Sequence, residues 1–235
     1  MVWQLIVIAM VGYLIGSVNL SIILCKMMGK GDIREQGSGN AGTTNTLRVL
    51  GKLPALAVFT FDVLKGVIAI TIAKWLIMLG GIELEKLEFA RELAILVSGF
   101  SAILGHNFPI FYDFKGGKGI ATSLGTIMMI EWEIGVVCLL FWVVLVAISR
   151  MVSLGSISAA ILYPVLVLVT GTALPYPFPY FIFSCLIAAL VVYRHRSNIE
   201  RLLNGTENKL WRTKKEKAAE GSDLKTNNNA SEESK

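Results

Sequence analysis

The chain has 235 residues, 54% of them hydrophobic and 17% charged, with a formal net charge of +5 and a mean hydropathy of +0.63. A soluble domain of this length buries a core without long uncharged runs, so the composition excludes an ordinary soluble enzyme and points to a membrane protein. Two histidines, three cysteines and no CxxC or HExxH spacing argue against a zinc centre.

Residues 1–25 carry no charged side chain and form the first expected span, near 3–25. They lack the basic region and cleavage site of a signal peptide, so this span is expected to stay in the mature chain. A polar loop follows, GSGNAGTTNTLR over 37–48. Its glycines permit positive φ and close backbone approach, and successive N–H groups in such a turn bind anions. Ser38 and Thr43 add hydroxyls, and Arg48 a fork that suits phosphate. A flexible polar loop fits equally well, and the Walker A spacing is absent. The second span, 54–79, carries Asp62 and Lys65 three residues apart on one face, either a self-neutralising pair or a functional one.

A third span, 92–107, runs into GHNFPIFYDFKGGKG over 105–119. Pro109 and the glycines break regular structure there. Gly116-Gly117-Lys118-Gly119 leads into a helix near Ile120, whose N-terminus attracts anions. Snorkelling to the interface is the plain alternative for Lys115 and Lys118. Residues 119–149 are too long for one comfortable helix, and Glu131-Trp132-Glu133 divides them into spans at 119–131 and 133–149. Arg150-Met-Val-Ser153-Leu-Gly-Ser156 precedes spans at 154–173 and 178–194. His195 follows the last of these, in a stretch from Tyr193 to Glu207. The three cysteines, Cys25, Cys138 and Cys185, are expected to be free thiols. Residues 208–235 form a polar tail expected to be disordered.

A spanning helix needs ~20 apolar residues for the ~30 Å hydrocarbon core and satisfies its own backbone. The expected fold is therefore an all-α polytopic membrane protein with seven transmembrane helices, forming one domain over 1–207. This arrangement gathers 18 of the 22 basic residues on one side. The positive-inside rule then puts the N-terminus outside and the C-terminus in the cytoplasm. All four polar stretches share the cytoplasmic face, which predicts a small phosphorylated substrate meeting a lipid-like one there.

Four stretches, GSGNAGTTNTLR (37–48), GHNFPIFYDFKGGKGIAT (105–122), RMVSLGS (150–156) and RHRSNIERLLNGTE (194–207), resemble those of the PlsY-type acyl-phosphate:glycerol-3-phosphate acyltransferases of bacterial membranes. The resemblance spans nearly all of the chain up to 207. It implies a multi-pass protein of the bacterial plasma membrane, working at its cytoplasmic side. The implied reaction moves an acyl group from acyl phosphate to the sn-1 hydroxyl of glycerol 3-phosphate. It gives lysophosphatidic acid and phosphate, the first step of phospholipid biosynthesis. Carried over residue by residue, Ser38, Asn45 and Arg48 belong to the first substrate-binding loop. His106, Lys115, Gly116, Gly117, Lys118 and Gly119 form the second, and Arg150, Ser153 and Ser156 the third. His195 and Asn198 stand beside the reacting centre. The chain departs from the family pattern at Ala41, Thr43 and Asn208, none of which removes a side chain with an assigned role.

The inventory suits that chemistry. Acyl phosphate is already activated, and no G-x-S-x-G nucleophile is present or needed. Two phosphate-bearing substrates need cations and N–H groups held in place. No metal, cofactor or nucleic acid is expected. A transporter of phosphorylated metabolites, a metal-dependent CDP-alcohol phosphotransferase and a scaffold without chemistry are the alternatives.

Overall fold

The computed structural model describes residues 2–79, 88–170 and 177–211, and these are helical apart from short connections. The helices are α1 Val2–Ser17, α2 Leu20–Met27, α3 Thr43–Val49, α4 Lys52–Met78, α5 Glu88–Asn107, α6 Ile120–Ile130, α7 Trp132–Ser149, α8 Val152–Thr170, α9 Pro177–Arg194 and α10 Arg196–Leu203. Six stretches among the described residues are long and apolar enough to cross a membrane: Val2–Met27, Lys52–Met78, Glu88–Tyr112, Trp132–Ser149, Val152–Thr170 and Pro177–Arg194. The expected spans at 54–79, 92–107, 133–149, 154–173 and 178–194 fall on α4, α5, α7, α8 and α9. Residues 171–173 of one span, much of the acidic connection before α5 and the tail beyond 211 lie outside the described residues.

Two departures from the expected spans have physical causes. The first span is split at Val18–Asn19, because Asn19 accepts from the Ile22 amide at 3.2 Å and caps a new helix. The Asn19 amide nitrogen also donates to the Ala41 carbonyl, so the break carries the first polar loop. The division of 119–149 does fall at Glu131, but α6 has only 11 residues. That is ~16 Å of helix at a rise of ~1.5 Å per residue.

The helices pack through small residues, as helices without a hydrophobic driving force between them tend to. On α1, a methyl group added at Gly16 would lie 2.1 Å from the Ala102 carbonyl of α5. At Gly125 of α6 it would lie 2.0 Å from the Val63 carbonyl of α4. One apolar cluster joins α5 to α6–α9 around Tyr163, Tyr180 and Phe183. Another joins α1, α4 and α5 around Ile8, Ile70 and Ala94. The C-terminal ends of α5 and α9 and the N-terminal ends of α6 and α8 meet at one place, where they and α3 and α10 surround a pocket.

Candidate active site

The pocket has a volume of about 620 Å³. Each of the four polar sequence stretches contributes to its wall: Ser38, Asn45 and Arg48; His106, Lys115, Gly116, Lys118 and Gly119; Ser153 and Ser156; His195 and Asn198. Of the residues expected at the site, only Gly117 and Arg150 do not line it. Arg150 closes α7 in the left-handed region at φ 63°. Its carbonyl accepts from the Leu210 amide at 2.7 Å, which anchors the segment after α10.

The first loop is braced by Asn45, buried in α3's first turn. Its amide nitrogen donates to the Ile33 and Gln36 carbonyls, and its oxygen accepts from the Ser38 amide at 2.8 Å. That leaves Asn45 shaping the loop and Ser38 and Arg48 facing the pocket. Arg34, forked onto Asp32, donates to the Tyr112 carbonyl at 2.8 Å and ties the first loop to the second.

In the second loop the Gly116 and Gly117 amides donate to the Asn107 and His106 carbonyls. These two N–H groups are therefore committed within the protein. The amides open to an anion are those at the start of α6, where a helix leaves its first N–H groups unpaired. Gly119, at φ 80°, turns the chain into that helix. Arg194 grips the loop from α9. Its guanidinium donates to the Gly117 carbonyl at 2.7 Å and the Gly116 carbonyl at 3.1 Å, and stacks over Phe108.

Glu207 completes the site from the other side. One carboxylate oxygen accepts from Ser153 Oγ and Asn198 Nδ2, both at 2.8 Å, and the other from Arg201 Nε at 2.9 Å. Asn198 in turn accepts from the Lys118 ammonium. Ser156 accepts from Trp142 Nε1 and donates to the Val152 carbonyl. Sequence reasoning did not assign Glu207, Arg194 or Arg201 to the site. The only signal for them was their position within the RHRSNIERLLNGTE stretch. Asp62 also reaches the pocket wall.

The electrostatics follow from partial burial among like charges. Burial lowers the Lys118 ammonium to about 8; Glu207 opposes the shift, and Arg201, Arg194 and Arg48 add to it. Burial also lowers Arg48, again against Glu207, but a guanidinium stays charged. Burial, then Lys118, lowers His195 to about 4, so its ring is neutral near pH 7. His195 Nδ1 lies 2.8 Å from the Val191 carbonyl. A carbonyl only accepts, so Nδ1 carries the proton and Nε2 keeps a lone pair. The arrangement can therefore hold two anionic groups and offer one neutral nitrogen base. Among the described residues, no three His, Cys, Asp or Glu side chains gather to hold a metal.

An apolar groove runs between α6, α7, α8 and α9, lined by Leu124, Leu139, Ala159 and Ala160, among others. It shares Phe59, Ile120, Ala121, Trp142 and Ser156 with the polar pocket.

The family profile described as glycerol-3-phosphate acyltransferase matches residues 6–205. The glycerol-3-phosphate acyltransferase of Thermoanaerobacter pseudethanolicus is 43% identical over 202 residues, covering 86% of this chain and 93% of that one. That of Halalkalibacterium halodurans is also 43% identical, with the same coverage. The crystal structure of PlsY (YgiH), an integral membrane glycerol 3-phosphate acyltransferase, in its glycerol 3-phosphate form superposes with a TM-score of 0.75 at 36% identity. It covers 87% of this chain and 94% of that one. Its lysophosphatidic acid form gives a TM-score of 0.73 at 35% identity, with the same coverage. The resemblance carried by the four polar stretches thus extends through fold and sequence alike, and the chain belongs to the glycerol-3-phosphate acyltransferase family.

Proposed function

We propose that this chain is an integral membrane enzyme that transfers an acyl group from acyl phosphate to the sn-1 hydroxyl of glycerol 3-phosphate, the first step of phospholipid synthesis. The observation that carries this reading is the continuity of a cation-lined pocket with an apolar groove through Phe59, Ile120, Ala121, Trp142 and Ser156. A donor with a phosphate head and a fatty tail needs both compartments, joined at the reacting carbonyl. The pocket's cations, among them Arg48, Lys115 and Lys118, suit two phosphate groups better than one. The related glycerol-3-phosphate acyltransferases suggest the acceptor.

In this reaction the acceptor hydroxyl oxygen forms a bond to the acyl carbon while the acyl–phosphate oxygen bond breaks. The products are lysophosphatidic acid and inorganic phosphate. His195 Nε2 accepts the hydroxyl's hydrogen bond and aligns the oxygen. At about 4, the ring is a weaker base than the phosphate oxygen released when the acyl–phosphate bond breaks. The proton therefore ends on phosphate, and His195 serves as an orienting acceptor. Asn198 and Lys118 stand next to it, coupled to Glu207. Positioning of two bound reactants lowers the barrier without a covalent intermediate.

The same reading gives the topology. α6 starts at the pocket and α7 returns to its rim, so the short α6 is taken as the seventh passage. The basic loops then lie in the cytoplasm, the N-terminus lies outside, and the site faces the inner side of a bacterial plasma membrane. Residues 208–235 are taken as a separate polar tail.

The test is direct. Purified protein in detergent receives palmitoyl phosphate and glycerol 3-phosphate with chelator present, and both products are followed. Equal release of phosphate and lysophosphatidic acid, with none from acyl-CoA, is the expected result. Folded protein that forms neither product refutes the reading.

A further inference from the structure

Beneath the pocket lies a buried charged cluster that the reaction scheme leaves unused. Asp62 and Lys65 of α4 and His106 of α5 are 3%, 1% and 3% exposed. Lys65 Nζ lies 2.8 Å from Asp62 Oδ1, 2.9 Å from His106 Nδ1, 3.1 Å from the Val18 carbonyl and 3.2 Å from the Gly16 carbonyl. The two carbonyls are those exposed by the break between α1 and α2. Ionisable groups at this depth are costly unless each has a partner, and they mark function.

The contacts decide which nitrogen of His106 carries the proton. An ammonium paired with a carboxylate has three hydrogens and no lone pair, so it only donates. His106 Nδ1, at 2.9 Å from it, must accept, and the ring proton sits on Nε2. Asp62 Oδ1, farther from Nδ1 at 3.4 Å, is the competing partner and loses by distance. The Nε2 edge of the ring lies against the second glycine of the GGKG turn: a methyl group added at Gly117 would come within 2.1 Å of it. His106 lines the pocket, and no protein acceptor meets its Nε2 among the described residues.

We propose that Lys65 and Asp62 are positioning residues that hold His106 as an Nε2–H donor to a phosphate group at the floor of the pocket. The ammonium fixes the tautomer, the carboxylate fixes the ammonium, and the Val18 and Gly16 carbonyls at the α1–α2 break share the third hydrogen. The two histidines of the chain therefore carry opposite tautomers. His106 donates from Nε2 to an anion, and His195 accepts at Nε2 from a hydroxyl. The proposal rests on the functional reading above only for the identity of the anion.

The full-length protein, labelled with [15N]histidine and placed in nanodiscs, gives two ring spin systems, assigned with His195→Gln. Two-bond 1H–15N spectra are expected to show His106 protonated at Nε2 and His195 at Nδ1. Added glycerol 3-phosphate is expected to shift the His106 Nε2–H resonance. In the charge-balanced variant Asp62→Asn/Lys65→Met, His106 becomes a mixture of tautomers. The KM for glycerol 3-phosphate rises about tenfold, the worth of one charge-assisted hydrogen bond, while kcat stays within about threefold. His106 protonated at Nδ1 in the unaltered protein overturns the proposal, as does a variant that leaves both tautomer and KM unchanged. The tautomer is read without turnover, so failure of the acyl phosphate assay leaves this result standing on its own.

Discussion

Ser153 and Glu207, 54 residues apart, meet through a 2.8 Å hydrogen bond from hydroxyl to carboxylate. Through the same carboxylate, Glu207 holds Asn198 and Arg201. Its side chain is only 5% exposed, so removing it strands three donors. Glu207→Ala is expected to lower stability by about 2–4 kcal/mol. Glu207→Gln recovers part of this. Thermal unfolding in detergent, followed by loss of near-ultraviolet dichroism, measures both; an unchanged midpoint refutes the latch.

Lys118 is expected to set the alkaline side of the pH profile. Its ammonium, lowered to about 8, loses charge as pH rises through that value. The KM for glycerol 3-phosphate is expected to climb above pH 8, approaching about tenfold per unit, and saturating substrate shifts the limb upward. Lys118→Arg removes the limb, because a guanidinium stays charged. A pH series of KM for both proteins tests this.

His195 is expected to give no activity limb above about pH 4, yet it makes stability pH-dependent well above that value. Its folded pKa is depressed from 6.5 to about 4, so the folded state favours the neutral ring. This part of the stability is present above pH 6.5 and is lost as pH falls towards 4. Any activity limb near pH 6 comes from substrate phosphate and persists in variants elsewhere in the pocket. His195→Ala is expected to cut kcat about 10²–10⁴-fold. Turnover at the original rate refutes both the orienting role and a role as general base.

Gly117→Ala is a steric test. The added methyl group meets His106 Nε2 at 2.1 Å and the Ala41 carbonyl at 3.0 Å. Displacing His106 is expected to raise the KM for glycerol 3-phosphate at least about tenfold and to cost about 1–3 kcal/mol of stability. Gly205→Ala is the control: no side chain crowds that site, but its φ is 67°, so it loses some stability and keeps its KM.

Chelation is expected to leave the rate unchanged, since the proposed reading has the phosphates met by side-chain cations such as Arg48 and Lys118. A rate that falls with chelator and returns with Mg²⁺ overturns this.

Much of the scaffold was legible. Charge-free runs marked α4, α5 and α7–α9, and Glu131-Trp132-Glu133 marked the joint between α6 and α7. The break at Val18–Asn19 was not, because residues 1–25 are uniformly uncharged and the partner of Asn19, the Ala41 carbonyl, lies in another loop. Ten of the twelve non-catalytic site residues expected from the sequence line the pocket, as do His195 and Asn198. The Asp62–Lys65 pair was visible from its spacing, but its third member on α5 was not. Arg194 and Glu207 escaped for a shared reason. Their roles lie in carbonyls and hydroxyls that only tertiary folding brings near, and no local pattern announces such partners.

The pocket's last wall comes from residues 194–210. During synthesis the first three polar loops emerge without the guanidinium that grips Gly116 and Gly117 and without the carboxylate that holds Ser153. The earlier helices can insert and pair through their glycines, while the site stays unassembled until Arg194 and Glu207 arrive. A chain stopped short of Glu207 is expected to be a membrane protein that carries Arg48, Lys115 and Lys118 without the carboxylate that braces Ser153, Asn198 and Arg201, and so to bind substrate more weakly than the chain extended through that residue.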